Sequence, residues 1–155
     1  MVQVRCKKDG NFELTDRERT VTLDNGQIQL EDLTVSEPGE YEVEGIEIVY
    51  GSQAALIIWN HLQIAYIFNA DKPTSFEKSQ FTPCNVALID PQVSGLDKQK
   101  ATELLEAYDP SVVVFGSTTT TSEIQDALKI EERDVLKLTE ASLPVEGREH
   151  YRLTT

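Results

Sequence analysis

Two histidines and two cysteines in 155 residues leave little from which to build a metal centre or a redox pair. His61 and His150 form no HxH or HxxxH pattern, and Cys6 and Cys84 form no CxxC. A single-chain zinc or iron site needs several such ligands converging, so no metal and no other cofactor is expected. The isolated thiols read as reduced cysteines of a cytoplasmic protein. Long apolar runs are missing as well. The longest, residues 54–59, is strand-sized, whereas a spanning helix needs roughly 18 apolar residues. The N-terminus, MVQVRCKKDG, lacks the apolar segment of a signal peptide. Bases are scarce too: 14 Lys and Arg stand against 27 Asp and Glu, a formal net charge of −13. Such a field repels nucleic acid and anionic membranes, which excludes both as partners. Between Arg19 and Lys72 there is no Lys or Arg, while Glu40, Glu42, Glu44 and Glu47 crowd together. That stretch reads as a solvated acidic sheet face, a deterrent to strand-edge association, or a surface for a basic partner.

What is present suffices for one domain over residues 1–155, with enough chain to bury a core without staples. The first 70 residues read as strands. Asp9-Gly10 and Asn25-Gly26 are hairpin-turn signals among alternating runs at residues 2–6, 11–14, 20–23 and 27–30. Beyond Pro38-Gly39, Tyr41 and Val43 alternate with glutamates, and the apolar phase flips after Glu44-Gly45, a turn or bulge. Residues 54–59 and 62–68 flank a hairpin tip at Trp59-Asn60-His61, and their near-continuous apolarity predicts burial on both faces.

The character then changes. Residues 71–83 read as a polar loop and 85–89 as a strand. Residues 96–108 read as a helix with Ala101, Leu104, Leu105 and Tyr108 inward, and 111–115 as a buried strand. Thr120 and Glu123 fit a capping box opening a short helix with Ile124, Ala127 and Leu128 inward. Residues 135–138 and 149–153 are the last strands. Strands joined by helical crossovers should be parallel neighbours. The expected class is α+β: β-sandwich-like sheets with two helices on one side.

Candidate chemistry is sparse. Cys6 and Cys84 have no histidine near them in sequence to act as a base. The hydroxyl-rich run at residues 116–122 lies where a strand meets a helix start. There Ser117, Thr118 and Thr119 could hold an anion with backbone N–H groups. It carries no Lys or Arg and is not a GxxxxGK[ST] loop, so a hydroxyl-rich helix cap is the plainer reading.

Several segments together resemble one branch of the metallo-β-lactamase superfamily, the zinc-dependent hydrolases similar to ascorbate-phosphate lactonases. The most distinctive is Pro38-Gly39-Glu40-Tyr41-Glu42-Val43 with Gly45-Ile46. Residues 62–69 resemble the strand that ends in His-Leu-Gly-Asp, residues 85–89 the next strand, and residues 110–117 the strand before a metal-binding histidine. Residues 136–144 (LKLTEASLP) resemble the closing segment. The match covers roughly residues 25–155, the C-terminal half of the family's αββα fold. Its ligand positions fall on Tyr66, Asn69 and Ser117, and the His-x-His-x-Asp-His motif is absent. The resemblance thus implies the fold and argues against the zinc–hydroxide chemistry. Tyr66, Asn69, Asp71, Asp90 and Ser117 form the candidate pseudo-active site.

A half fold would leave one apolar sheet face uncovered. The first 30 residues would cover it with a second small sheet, or a homodimer or partner chain would do so. The expected function is that of a non-catalytic assembly or interaction protein acting through homodimerisation. The alternatives are a divergent hydrolase completed by a partner subunit and a module binding a small anion at residues 117–122.

Overall fold

Alternation of apolar and polar residues makes five short strands of the first 35 residues. They are β1 (Val2–Cys6), β2 (Phe12–Thr15), β3 (Thr20–Asp24), β4 (Gln27–Leu30) and β5 (Leu33–Val35). The computed structural model, which describes residues 1–8, 11–93, 95–116 and 122–155, pairs them as an antiparallel meander. Asn25 and Gly26 take φ of 49° and 84°, as a two-residue hairpin turn twisted with its strands requires. The Asp9-Gly10 turn lies outside the described residues, but Lys7 N donates to Asn11 O at 2.7 Å beside it. A late strand, β13 (Leu136–Leu138), returns to pair with β1, giving a six-stranded sheet ordered β13-β1-β2-β3-β4-β5.

The second sheet begins as another meander: β6 (Gly39–Val43), β7 (Ile46–Tyr50), β8 (Ala54–Trp59) and β9 (Leu62–Ile67). Positive φ at Glu44-Gly45 and Asn60-His61 makes both links tight turns, so the phase flip at Gly45 is a turn and not a bulge. From β9 onward the chain crosses over through helices. β10 (Val86–Ile89), β11 (Val112–Gly116), β14 (Glu149–Leu153) and β12 (Glu131–Arg133) extend the sheet in parallel. The order is β12-β14-β11-β10-β9-β8-β7-β6, with the last strand inserted between two earlier ones.

Among the described residues, three α-helices lie on one face of this larger sheet. In α2 (Lys98–Tyr108), Ala101, Leu104, Leu105 and Tyr108 are buried as their spacing predicts. Asp97 caps its start by accepting from Lys100 N, and Asp109 ends it in the left-handed conformation. In α3 (Ser122–Leu128), Ile124 is buried and Leu128 half-buried, but Ala127 is exposed, against expectation. The helix count also needs correction. The supposed polar loop contains α1 (Ser75–Phe81), opened by a capping box between Thr74 and Glu77.

The larger sheet is buried on both faces. Ile57, Trp59, Ile64, Tyr66, Val86 and Leu88 meet Val4, Leu14, Leu23 and Ile28 of the smaller sheet. Ala65, Ile67, Ala87, Ile89 and Phe115 meet Phe81 and the α2 and α3 side chains. The strands of the first 35 residues therefore cover the face whose exposure would have called for a second copy. The packing argument for a homodimer loses its premise. The outer face of the smaller sheet carries Gln3, Arg5, Glu13, Thr22 and Gln29, a polar surface suited to water without another helix layer. No described helix is long and apolar enough to cross a membrane.

Candidate functional site

Tyr66 and Asp90 sit where β9 and β10 end, beside Gly116 at the end of β11. Alternation along β9 turns Tyr66 toward the smaller sheet, where its hydroxyl accepts from Gly26 N at 2.9 Å. The same hydroxyl donates to Asp90 Oδ2. The other Asp90 oxygen accepts from Gln92 N at 2.7 Å, and Asp90 N donates to Ile67 O. Tyr50 seals the neighbouring position by donating its hydroxyl to Gly26 O. Phe68 stacks on Tyr50 with ring centroids 5.0 Å apart and tilts against Tyr66 at 5.7 Å. Gln92 reaches over to Asp24 Oδ1 at 3.2 Å. The β3–β4 turn is thus fastened down on the strand ends.

The Tyr66–Asp90 pair is closed to solvent. Tyr66 is 0% exposed and Asp90 1%. Burial, followed by the Asp90 carboxyl, pushes the Tyr66 hydroxyl well above the ordinary tyrosine range, so it acts as a hydrogen-bonding alcohol. Gly116 is packed so closely that an added Cβ would lie 2.5 Å from Pro91 Cγ.

The other sequence candidates among the described residues do not join this pair. Asn69 and Asp71 are exposed, with Asp71 N donating to Asn69 Oδ1 at 3.0 Å. Ser117, Thr118 and Thr119, and with them the anion-loop reading, lie outside the described residues. His61 is exposed on its hairpin tip, and His150 is half-buried in β14. Burial, then Arg148, lowers the His150 pKa. The Cys84 thiol is 2% exposed, donates to Tyr108 O, and is pushed by burial up to about 12. It is therefore no nucleophile at neutral pH.

Two further junctions escaped the sequence reading. Glu77 is 0% exposed: its Oε2 accepts from Gln53 N at 2.7 Å and Ala54 N at 2.9 Å, and its Oε1 from Thr74 N at 2.9 Å. It ties α1 to the β7–β8 link, and a Cβ on Gly51 would clash with its Oε2. Glycine is therefore needed there. A T-x-x-E signal at Thr74-Glu77 could have found the helix, though not the tie.

Asp16 is the second junction. Its Oδ1 accepts from Glu18 N and Arg19 N, and its Oδ2 from the Arg19 guanidinium and Trp59 Nε1. Burial alone would raise its pKa, but the bonds from Glu18 N, Arg19 N and the Arg19 guanidinium, with the Arg19 charge, overcome that and hold it at about 2. The folded state therefore gains stability from Asp16 that is complete above the ordinary 3.8 and lost as pH falls through about 2. Asp16→Asn lowers neutral-pH stability by roughly 1 kcal/mol, after discounting for solvent screening. Urea melts of both proteins should converge as pH drops through that window. A constant difference would show that charge is not its source.

Compared by sequence, the chain matches no family model and no curated protein. Compared as a structure, it matches the crystal structure of a proposed Zn-dependent hydrolase of the metallo-β-lactamase superfamily from Thermotoga maritima. The TM-score is 0.72 over 99% of each chain, at 15% identity. The fold is metallo-β-lactamase-like. The likeness includes the N-terminal strands, beyond the 25–155 stretch over which the sequence resembles that superfamily. A zinc ion, which a metallo-β-lactamase-like fold implies, does not fit the described residues. In the resembled histidine position Tyr66 offers only a hydroxyl already bonded to Gly26 N and Asp90. In the carboxylate position Asn69 offers an amide already bonded to Asp71 N. Among the described residues no three His, Cys, Asp or Glu side chains converge to hold a metal.

Proposed function

We propose that this chain is a non-catalytic metallo-β-lactamase-like domain that works by binding another protein. The observation that carries the reading is the Tyr66 hydroxyl, bonded at once to Gly26 N and Asp90 and closed to solvent. A hydrolytic centre needs an open position at which water or substrate meets the activating group. Here the strand ends that would supply it are filled by aromatic rings and capped by the β3–β4 turn. The Thermotoga protein's description as a proposed zinc-dependent hydrolase does not carry over, because the resembled ligand positions hold Tyr66 and Asn69. An interaction role also agrees with the charge distribution, since Glu40, Glu42 and Glu47 of β6 and β7 join none of the described ion pairs. Purified protein, with or without added zinc or manganese, should hydrolyse no lactone, thioester or phosphoester above the blank. A chelator-sensitive turnover lost in Asp90→Ala would overturn the reading.

A further inference from the structure

β6 is the last strand of the larger sheet, and among the described residues no strand pairs with its outer edge. Its side chains alternate sharply. Glu40 and Glu42 are exposed on the face that carries the helices, while Tyr41 and Val43 are half-buried at the margin of the core between the sheets. Helix α1 borders this end of the sheet through Phe76. A trough of about 340 Å³ lined by Glu40, Glu42, Glu47 and Val49 runs along it. A second of the same volume shares Glu40 and Val49 and reaches Pro38 and Phe76, whose ring is 49% exposed.

The charges here are unbalanced. Glu42 lies directly opposite Glu47 across the β6–β7 pair, a like-charge contact that destabilises a sheet. The described ion pairs engage Lys7, Arg19, Arg133, Arg148 and Arg152 with other acids, and none reaches Glu40, Glu42 or Glu47. A second copy is a poor occupant. Antiparallel pairing of two β6 strands centred on Tyr41 would set Glu40 against Glu42 twice, in the manner by which acids keep strand edges apart.

We infer that the outer edge of β6 accepts an extended segment of another protein in which Lys or Arg alternates with apolar residues. Main-chain hydrogen bonds to the free edge supply the docking, as in other strand-addition complexes. Basic side chains on the helix side neutralise Glu40, Glu42 and Glu47. The intervening apolar side chains extend the row of Tyr41 and Val43 and cover the margin of the core. The inference rests on the interaction reading above and gives it a partner class.

The test uses the full chain and a short synthetic peptide of alternating Lys and Val. A second peptide has the same composition arranged as a Lys block and a Val block. Binding is followed by fluorescence anisotropy, and the contact by chemical shifts of the β6 amides. The alternating peptide should bind with the β6 shifts moving first, and binding should weaken with salt. The double variant Glu42→Lys, Glu47→Lys should weaken it about tenfold or more. Circular dichroism of that variant checks that it folds. Equal binding of the blocked peptide would reduce the effect to general attraction and overturn strand addition, as would shifts confined to other elements. Absence of binding would sink this inference alone, because the non-catalytic reading stands or falls on the hydrolysis assay.

Discussion

Glu77→Gln lowers the melting temperature by roughly 8 °C, the consequence of losing about 3 kcal/mol in a domain of this size. The carboxyl group accepts from three backbone N–H groups: Gln53 and Ala54 on one oxygen, Thr74 on the other. Glutamine keeps one acceptor and turns an NH2 group toward the N–H groups on its other side. At least one buried donor is left facing another donor, at a cost of about 1–3 kcal/mol, and the charge assistance of the remaining bonds is lost. Gly51 leaves no room to shift, since its backbone already approaches the carboxyl too closely for a Cβ. Thermal melts of wild type and variant decide the matter. A change below about 1 °C would mean that the Glu77 contacts contribute little net stability.

Tyr66→Phe removes one oxygen and leaves both Gly26 N and Asp90 Oδ2 without that partner inside the protein. The expected loss is about 2–3 kcal/mol, with faster amide exchange at Gly26 than at the neighbouring strand residues. Asn69→Ala is the informative contrast. The sequence resemblance assigns both residues to ligand positions, yet Asn69 is exposed and should cost no more than about 0.5 kcal/mol. If the two positions were remnants of a working site, both would be open and neither would carry stability. Comparable small effects would contradict the closure described at the strand ends.

Much of the architecture was legible because its determinants are local. Period-two patterning located most of the early strands, though not β5, continuous apolarity located β8 to β11, and the i, i+3, i+4, i+7 spacing of Ala101, Leu104, Leu105 and Tyr108 located α2. The apolar density of residues 54–59 and 62–68 correctly required cover on both faces. Helix α1 was invisible to periodicity because only Glu77 and Phe81 are buried in it, and one of these is an acid. Strand β12 (EER) is exposed throughout and has no apolar signal. The insertion of β14 between β11 and β12 is a long-range choice that no local pattern encodes.

The candidate site was legible only as a set of positions. Tyr66 and Asp90 were picked out together and do touch. Their role follows from Gly26, which is 40 residues from Tyr66 and sits on the other sheet. The junctions at Asp16–Trp59 and Glu77–Ala54 are equally non-local, so neither polar residue stood out among the many acids of an acidic chain.

The most direct test of the central claim is a zinc titration of the purified, metal-stripped protein by isothermal calorimetry, with elemental analysis of the dialysed product. A closed Tyr66–Asp90–Gly26 junction predicts no stoichiometric zinc and no change in melting temperature. One zinc per chain, retained through dialysis and lost in Asp90→Ala, would contradict it.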